Sequence, residues 1–414
     1  MKNEYGVVVI GGGPSGMAAA LVAKENGLDT LIIEKDEKLG GILNQCIHNG
    51  FGLKYFGEEL TGTEYASRLA LEVQKNNIEV SLKTFAYNAS QGQVSVLKEG
   101  MRKTITAKAI VLASGSRERT AGQINLAGSR PAGIYTAGMV QKMISFYNQK
   151  PGKKVVILGS GDIGLIMARR LTYEGVKVLK VIEIMKTSGG LKRNIVQCLN
   201  DYNIPLLTSH TVTKVVGTDR VEGVFYAQVD ENLNPIESTE KFIECDSLIL
   251  SVGLIPEMEI FGSQVKLSSV NRSFVVDENR ESSLSGVFVS GNVLHIHDLA
   301  DNATEEGKIA GLGASKFAKG ELDNSSVQQA EILFSDKISY IIPQKVNINQ
   351  NGIFKIYFRI KDNHLRKTIT VKAGEKIIAK KFVVALNTGE MQEIDVNKAD
   401  FFADKPLNLF VDIV

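Results

Sequence analysis

The stretch Val7-Val8-Val9-Ile10-Gly11-Gly12-Gly13-Pro14-Ser15-Gly16 decides how this chain is read. Four β-branched residues in a row predict a strand buried on both faces. The glycines end that strand and a helical run reaches Gly27. Thr30-Leu31-Ile32-Ile33-Glu34 then reads as a second strand closed by an acid. The pattern returns at Val155-Val156-Ile157-Leu158-Gly159-Ser160-Gly161-Asp162-Ile163-Gly164, with a helical run to Gly175 and an apolar run from Val176 closed by Glu183. Each copy is a βαβ unit with a GxGxxG turn. Gly11 and Gly159 permit the tight turn, and Gly13 and Gly161 let backbone N–H groups approach a pyrophosphate. Gly16 and Gly164 let the helix lie against its strand, while the helix N-terminus faces the phosphate charge. Glu34 follows Gly11 by 23 residues and Glu183 follows Gly159 by 24, each placed to accept hydrogen bonds from the hydroxyls of an adenosine ribose. One such turn is a weak signal; two complete units predict two dinucleotide sites.

Composition agrees and excludes other classes. The chain has 414 residues, 43% hydrophobic and 23% charged, enough for two to three domains. Its 48 basic and 46 acidic residues leave a formal charge of +2, no electrostatic case for nucleic acid or an acidic membrane. No apolar run approaches the roughly 20 residues of a membrane helix, and glycines and an acid stand where a secretory core would be. Cys46, Cys198 and Cys245 form no CxxC pair, neither a disulfide framework nor a zinc site. The expected protein is cytoplasmic, α/β, with two Rossmann-like domains.

Further along, Gly286-Val287-Phe288-Val289-Ser290 reads as a strand and the run from about Asn302 to Lys319 as a helix. Glu321 to Ser326 reads as a polar linker. Beyond it, short alternating segments such as Ile353–Ile360 and Lys367–Val371, with turns at Gln350-Asn351-Gly352 and Ala373-Gly374, predict a small all-β, sandwich-like domain.

These features together resemble the pyridine nucleotide-disulfide oxidoreductase superfamily of two-dinucleotide flavoproteins, over about residues 5 to 320. Ile110-Val111-Leu112-Ala113-Ser114-Gly115-Ser116 is similar to its second FAD motif. The strand Ser247 to Pro256, through Gly253, resembles the segment returning from the NAD domain. Gly286 to Asn292 resembles the third motif, whose Gly-Asp ending contacts the flavin ribityl chain; here Asn292 follows Gly291. The resemblance implies FAD on Gly11, Gly13, Pro14, Ser15, Gly16, Glu34, Gly40, Gly41, Ala113, Ser114, Gly115, Gly291 and Asn292. It implies a nicotinamide nucleotide on Gly159, Gly161, Asp162, Ile163, Gly164, Glu183 and Gly253. A discontinuous FAD domain (1–119 and 253–325) would then hold an inserted NAD(P) domain (120–252), followed by the β domain (330–414). A carboxylate at the ribose edge repels a 2′-phosphate, so Glu183 points to NADH over NADPH; Lys186, Lys192 and Arg193 nearby act against that preference, or are solvated surface residues.

The disulfide reductases of this superfamily carry CxxxxC beside the flavin. Here Gly40-Gly41-Ile42-Leu43-Asn44-Gln45-Cys46-Ile47-His48 holds one cysteine, so dithiol relay is disfavoured. The strings around Cys46, Leu60–Arg68 and Gly291–Gly307 resemble a branch of FAD oxidoreductases that accompany anaerobic glycerol-3-phosphate dehydrogenases, and the nucleotide-binding subunits of amino-acid and opine dehydrogenase complexes. That implies electron transfer between NAD(H), FAD and a small-molecule or protein partner; the alternatives are a non-catalytic electron-relay subunit of a dehydrogenase complex and a single-cysteine NADH-dependent peroxide or disulfide reductase, with a homo- or hetero-oligomer open to each. Of five histidines, His48, His295 and His297 lie in flavin-side segments, and with Cys46 and Asp298 they could converge there. One reading makes Cys46 a thiolate or sulfenate at the flavin with a histidine as proton relay. The other makes Cys46 a small buried hydrophobe and the histidines loop-bonding groups. No metal-ligand spacing is written in these residues. Cys198 and Cys245 read as core.

Overall fold

The opening apolar run is strand β1 (Glu4–Ile10), and its Val7, Val8 and Val9 are fully buried in this computed structural model. All residues are described except 323–327, 349–350 and 402–407, so most of the expected linker and Gln350 of the expected turn lie outside the described residues. Helix α1 (Pro14–Glu25) crosses over to β2 (Thr30–Ile33), which pairs with β1 in parallel as a crossover requires. Helix α2 (Gly62–Lys75) follows; Thr61 and Glu64 close a capping box at its start. Then come β3 (Glu79–Ser81) and the antiparallel β4 (Thr84–Ser90), β5 (Gln93–Lys98) and β6 (Met101–Leu112). Strand β6 is long enough to serve twice. Its first half pairs antiparallel with β5, and its end, Ala109 to Leu112, pairs in parallel with Val7 to Ile10. The sheet order is β3-β2-β1-β6-β5-β4.

Residues Arg117–Ile255 form a compact unit of their own. Here β7 (Ile134–Thr136), α3 (Ala137–Tyr147), β8 (Lys154–Leu158), α4 (Asp162–Tyr173), β9 (Lys177–Ile182), α5 (Lys192–Cys198), β10 (Leu206–Leu207) and β11 (Ser247–Leu250) build a parallel sheet of order β7-β11-β8-β9-β10. An antiparallel meander over His210–Val216, Gly223–Gln228 and Lys241–Glu244 fills the gap before β11. The single strand expected over Ser247–Pro256 is in fact two, Ser247–Leu250 and Leu254–Pro256. Gly253 between them takes φ +102°, a conformation that ends extended pairing.

The other unit comprises Met1–Ser116 and Pro256–Val414. On return, β12 (Val287–Val289) adds to β6 in parallel, and α6 (Ala300–Ala318) packs on α1. That crossing is close: a Cβ at Gly307 would stand 2.1 Å from Ser15 O, and one at Gly311 2.5 Å from Ala19 O. Glycines on α6 and alanines on α1 are what let the two backbones approach.

Among the described residues eight more strands follow: β13 (Gln329–Phe334), β14 (Ile338–Ile342), β15 (Lys345–Asn347), β16 (Ile353–Ile360), β17 (His364–Ala373), β18 (Lys376–Leu386), β19 (Gln392–Asn397) and β20 (Asn408–Ile413). They form two sheets, β15-β13-β20-β17-β18 and β14-β16-β19. Between these lies a separate core of Ile332, Ile341, Ile356, Phe358, Val371, Val411 and neighbours. Yet the sheets share a compact unit with the first dinucleotide fold, because Ile342 and Tyr357 are buried in the same cluster as Val8, Ile110 and Val289.

Candidate functional site

At the first glycine turn, Gly11 takes φ +108°, and a Cβ there would lie 2.3 Å from Ala113 O. A Cβ on Gly16 would lie 1.9 Å from Gly11 O. Only glycine allows strand end, turn and helix start to close this tightly. No side chain caps α1, whose N-cap is Gly13 and first residue Pro14, and nothing lies within 4 Å of where a Gly13 Cβ would be. The first-turn N–H groups are thereby left to an anion. Glu34 is buried at the end of β2; its Oε2 accepts from Gly12 N at 2.6 Å and its Oε1 from Asp36 N at 2.8 Å.

The second turn repeats this. Gly159 takes φ +97°, with its Cβ position 2.0 Å from Ser251 O, and α4 starts at Gly161 without a side-chain cap. Glu183 Oε2 accepts from Ser160 N at 2.8 Å and from Ser160 Oγ at 2.6 Å, while Oε1 accepts from Met185 N at 2.9 Å. Both acids thus tie their own turn in place before any ribose arrives. Asp162, expected at the cofactor, spends its Oδ1 on Leu191 N at 2.8 Å and Asn194 Nδ2 at 2.6 Å, at the start of α5. Ile163 packs against the core of its unit. These two are better read as supports of the turn.

The remaining expected residues of the first site gather around its glycine turn. Gly40 N donates to Gly12 O at 2.8 Å, and a Cβ on Gly41 would stand 3.3 Å from Gly13 Cα. Ala113 N donates to Ile10 O at 2.8 Å, Ser114 Oγ donates to Glu257 O at 2.6 Å, and Gly115 takes φ +76° with open space at its Cβ position. Ser15 Oγ bonds Ser290 Oγ at 2.8 Å, and a Cβ on Gly291 would lie 2.9 Å from Ser15 Cβ. The cradle fits an extended dinucleotide. Asn292 Oδ1 accepts from His297 N at 3.0 Å, which leaves its amide NH₂ to address a hydroxyl.

The histidines do not converge as expected. His295 and His297 both turn Nε2 to Glu306, at 2.9 Å to Oε1 and Oε2 respectively. Arg280 Nε adds a bond to Oε1 at 3.0 Å and Gly291 N one to Oε2 at 2.9 Å. Glu306 is 0% and Arg280 1% exposed. Burial works against the carboxylate's charge, but the two imidazoles and their hydrogen bonds hold it well below the usual range. Arg280, always charged, acts in the same direction. Burial pushes His295 down to about 4, against the pull of Glu306. His295 is therefore neutral at pH 7 and cannot titrate near 6.5 as a relay. With Nε2–H donating, each Nδ1 is a bare acceptor; His295 Nδ1, His297 Nδ1 and Arg280 Nη2 are buried without a partner among the described residues. The fold also supplies what the sequence lacked for a metal: ligand atoms of His295, His297 and Glu306 lie within 4.8 Å of one another. All four carboxylate acceptor positions are already taken and a guanidinium sits on one oxygen, so a hydrogen-bonded network accounts for the cluster. Glu306 and Arg280 escaped the sequence reading, although an acid on the buried stripe Ala303–Glu306–Ala310 of α6 was a usable signal.

Asp298 turns away from the histidines, pairing with Arg359 and accepting from Met391 N at 2.6 Å. Cys46 is buried at the end of the short helix Gly41–Gln45; its Sγ donates to Ile42 O at 3.4 Å and its carbonyl accepts from Gly62 N at 2.9 Å. His48 is half-buried and stacks on Phe51 with ring centroids 5.1 Å apart. Cys198 and Cys245 are buried, and burial raises both thiols, Cys245 to about 12. None of the three forms a disulfide. No helix among the described residues is long and apolar enough to cross a membrane.

An alkyl hydroperoxide reductase component from Staphylococcus aureus (strain NCTC 8325 / PS 47) is 25% identical over 305 residues, 70% of this chain and 54% of that protein. An opine oxidase component from Agrobacterium tumefaciens (strain Ach5) is 26% identical over 343 residues, 76% of this chain and 66% of that protein. The chain thus spans about half the length of the first of these relatives. Thioredoxin reductase of T. acidophilum superposes with a TM-score of 0.63 at 25% identity, covering 78% of this chain and 100% of that one. Residues 5–307 match the pyridine nucleotide-disulphide oxidoreductase family, whose members bind FAD and use NAD(P)H. With both glycine turns in place within that span, the chain belongs to this family.

Proposed function

We propose that this protein is an FAD-dependent oxidoreductase that takes hydride from NADH and passes electrons to a small molecule or protein without an internal dithiol. The observation that carries the reading is the pair of uncapped, carboxylate-anchored glycine turns, Gly11–Glu34 and Gly159–Glu183. Gly11, Gly13 and Gly16, with the start of α1, would hold the FAD pyrophosphate; Glu34 would orient its ribose; Gly40, Gly41, Ser114, Gly115, Gly291 and Asn292 would line the flavin side. Gly159, Gly161 and Gly164 would take the pyrophosphate of the nicotinamide nucleotide, and Glu183 its ribose. FAD would supply the two-electron chemistry once bound. The residues around it orient the rings and exclude water.

Glu183 favours NADH because its fixed negative charge opposes a 2′-phosphate. Protein that carries FAD and is bleached anaerobically by NADH faster than by NADPH supports the whole reading. Protein releasing FMN, or no flavin, would sink it. Cys46→Ser tests the thiol: an altered oxidised spectrum or lost turnover with an acceptor makes Cys46 catalytic, and unchanged behaviour makes it packing. His48→Gln and His297→Gln test these residues as proton carriers: a changed pH-rate profile supports the role and an unchanged one removes it.

A second reading, an electron-relay component of a dehydrogenase complex of glycerol-3-phosphate or amino-acid type, is supported by the likeness to a protein named as part of an opine oxidase. Under it, the isolated chain reduces no acceptor until its partner is added.

A further inference from the structure

Strand β16 has two different faces. Phe354, Ile356, Phe358 and Ile360 belong to the core between the C-terminal sheets. The alternate residues Tyr357 and Arg359 leave that core for the dinucleotide fold, as period-two geometry requires. The Tyr357 ring lies 5.6 Å from the His295 ring and 6.1 Å from the His297 ring, and the Arg280 guanidinium lies 5.7 Å from its centre. Arg359 Nη2 donates to Ile296 O at 3.1 Å and also pairs with Asp298, while its Nη1 donates to Gly389 O at 3.0 Å. Asp298 takes a second bond from Met391 N, on the segment before β19. The loop His295-Ile296-His297-Asp298 is therefore gripped from the C-terminal sheets on its backbone and on its acid.

The grip continues inward. His297 N donates to Asn292 Oδ1, and His297 Nε2 meets Glu306, which accepts from Gly291 N. An unbroken set of contacts runs from Arg359 to the Gly291–Asn292 turn. A second buried pair, Lys398 with Glu278, joins the same two parts close to Arg280, and Glu278 also accepts from Asn347 N at 3.0 Å.

We propose that Arg359, supported by Tyr357, is a positioning residue for FAD: it holds the His295–Asp298 loop, and through it the Gly291–Asn292 turn, in the conformation that receives the flavin. The C-terminal sheets are thus a working wall of the flavin side. This rests on the reading of Gly291–Asn292 as a flavin-binding turn. Arginine suits the task because its planar fork reaches a carbonyl and a carboxylate together; a lysine supplies the charge but not the fork.

The test titrates flavin-free full-length protein with FAD, following fluorescence quenching and the absorption spectrum, for wild type, Arg359→Met, Arg359→Lys, Asp298→Asn and the Arg359→Met/Asp298→Asn double variant. Thermal melting of each flavin-free protein is recorded alongside. The expected result is at least tenfold weaker FAD binding and a shifted flavin band for Arg359→Met, partial recovery for Arg359→Lys, and a double variant no worse than the poorer single one. If Arg359→Met does not fold, Arg359→Lys and Asp298→Asn carry the comparison. Wild-type affinity and spectrum in variants that only melt lower would overturn the positioning role and leave a structural pair. Wild type that binds no FAD would instead overturn the flavin reading from which the proposal starts.

Discussion

The two glycine turns are built to one plan and differ at its second residue. In the first, a Cβ on Gly12 would meet Leu39 Cδ2 at 2.4 Å and Glu34 Oε2 at 3.0 Å, so a side chain there requires the Leu39 side chain to move. In the second, Ser160 fits, and its hydroxyl gives Glu183 a third donor. A carboxylate accepts about four hydrogen bonds. Glu34, with two donors from the protein, has two positions left, whereas Glu183 has one. The helices differ in the same sense. Helix α1 lies under α6 and buries most of its residues, while α4 keeps the side bearing Arg169 and Arg170 less buried. Helix α1 is thus covered by a later part of the chain, whereas the second turn is closed in from its own unit, by Ser188 and Ser251.

The hardest way to break this comparison is to fill the turns. Gly11→Val should yield protein without flavin and destabilised by roughly 3 kcal/mol or more, since both space and φ forbid the side chain. Gly159→Val should remain yellow and lose reduction by NADH. Flavin content and stopped-flow bleaching check both, and loss of flavin from the second variant would contradict the assignment of roles.

Acid should separate the units next. His295 sits at about 4 when folded, below its ordinary 6.5, so the unfolded chain binds more protons between those values. Stability is full above about pH 6.5 and falls as pH drops towards 4, by on the order of 3 kcal/mol from this group. His295→Gln should flatten that fall in denaturant titrations at pH 7 and pH 4.5. An unchanged slope would mean that His295 is not buried neutral.

Smaller effects sharpen the contrast between the acids. Glu34→Gln should weaken FAD about tenfold, the loss of charge-assisted bonds worth about 1.4 kcal/mol, and leave the NADH preference alone. Glu183→Gln should hold FAD and narrow the NADH-to-NADPH ratio of flavin reduction. Smallest of all, Ser160→Ala removes one of three donors to Glu183 and should change stability by about 1 kcal/mol, with KM for NADH altered less than by Glu183→Gln.

Much of the first site was legible because its parts are local. Gly16 and Glu34 act on the turn of their own βαβ unit, and a strand–turn–helix pattern states that directly, whereas the wall that holds Gly11 to glycine is Ala113, far along the chain. Asn292 was placed by motif, yet the bond from His297 N to its Oδ1 was not visible. The shared partner of His295 and His297, Glu306, is not named by the sequence, because an acid in a helix reads as solvent-facing by default. Asp298 was assigned to the flavin side, while its partner arrives from β16, some 60 residues on.

By itself the sequence determined the two βαβ units, the ends of their strands, and the alternating C-terminal strands, because hydrophobic period and glycine geometry are written in neighbouring residues. Only the tertiary structure decided that Arg280, His295, His297 and Glu306 share one buried hydrogen-bonded cluster, and that Tyr357 and Arg359 close on it from the C-terminal sheets. The physical reason is that burial removes water from these groups. Each must then find its partner wherever the fold brings one, and no spacing along the chain records where that is.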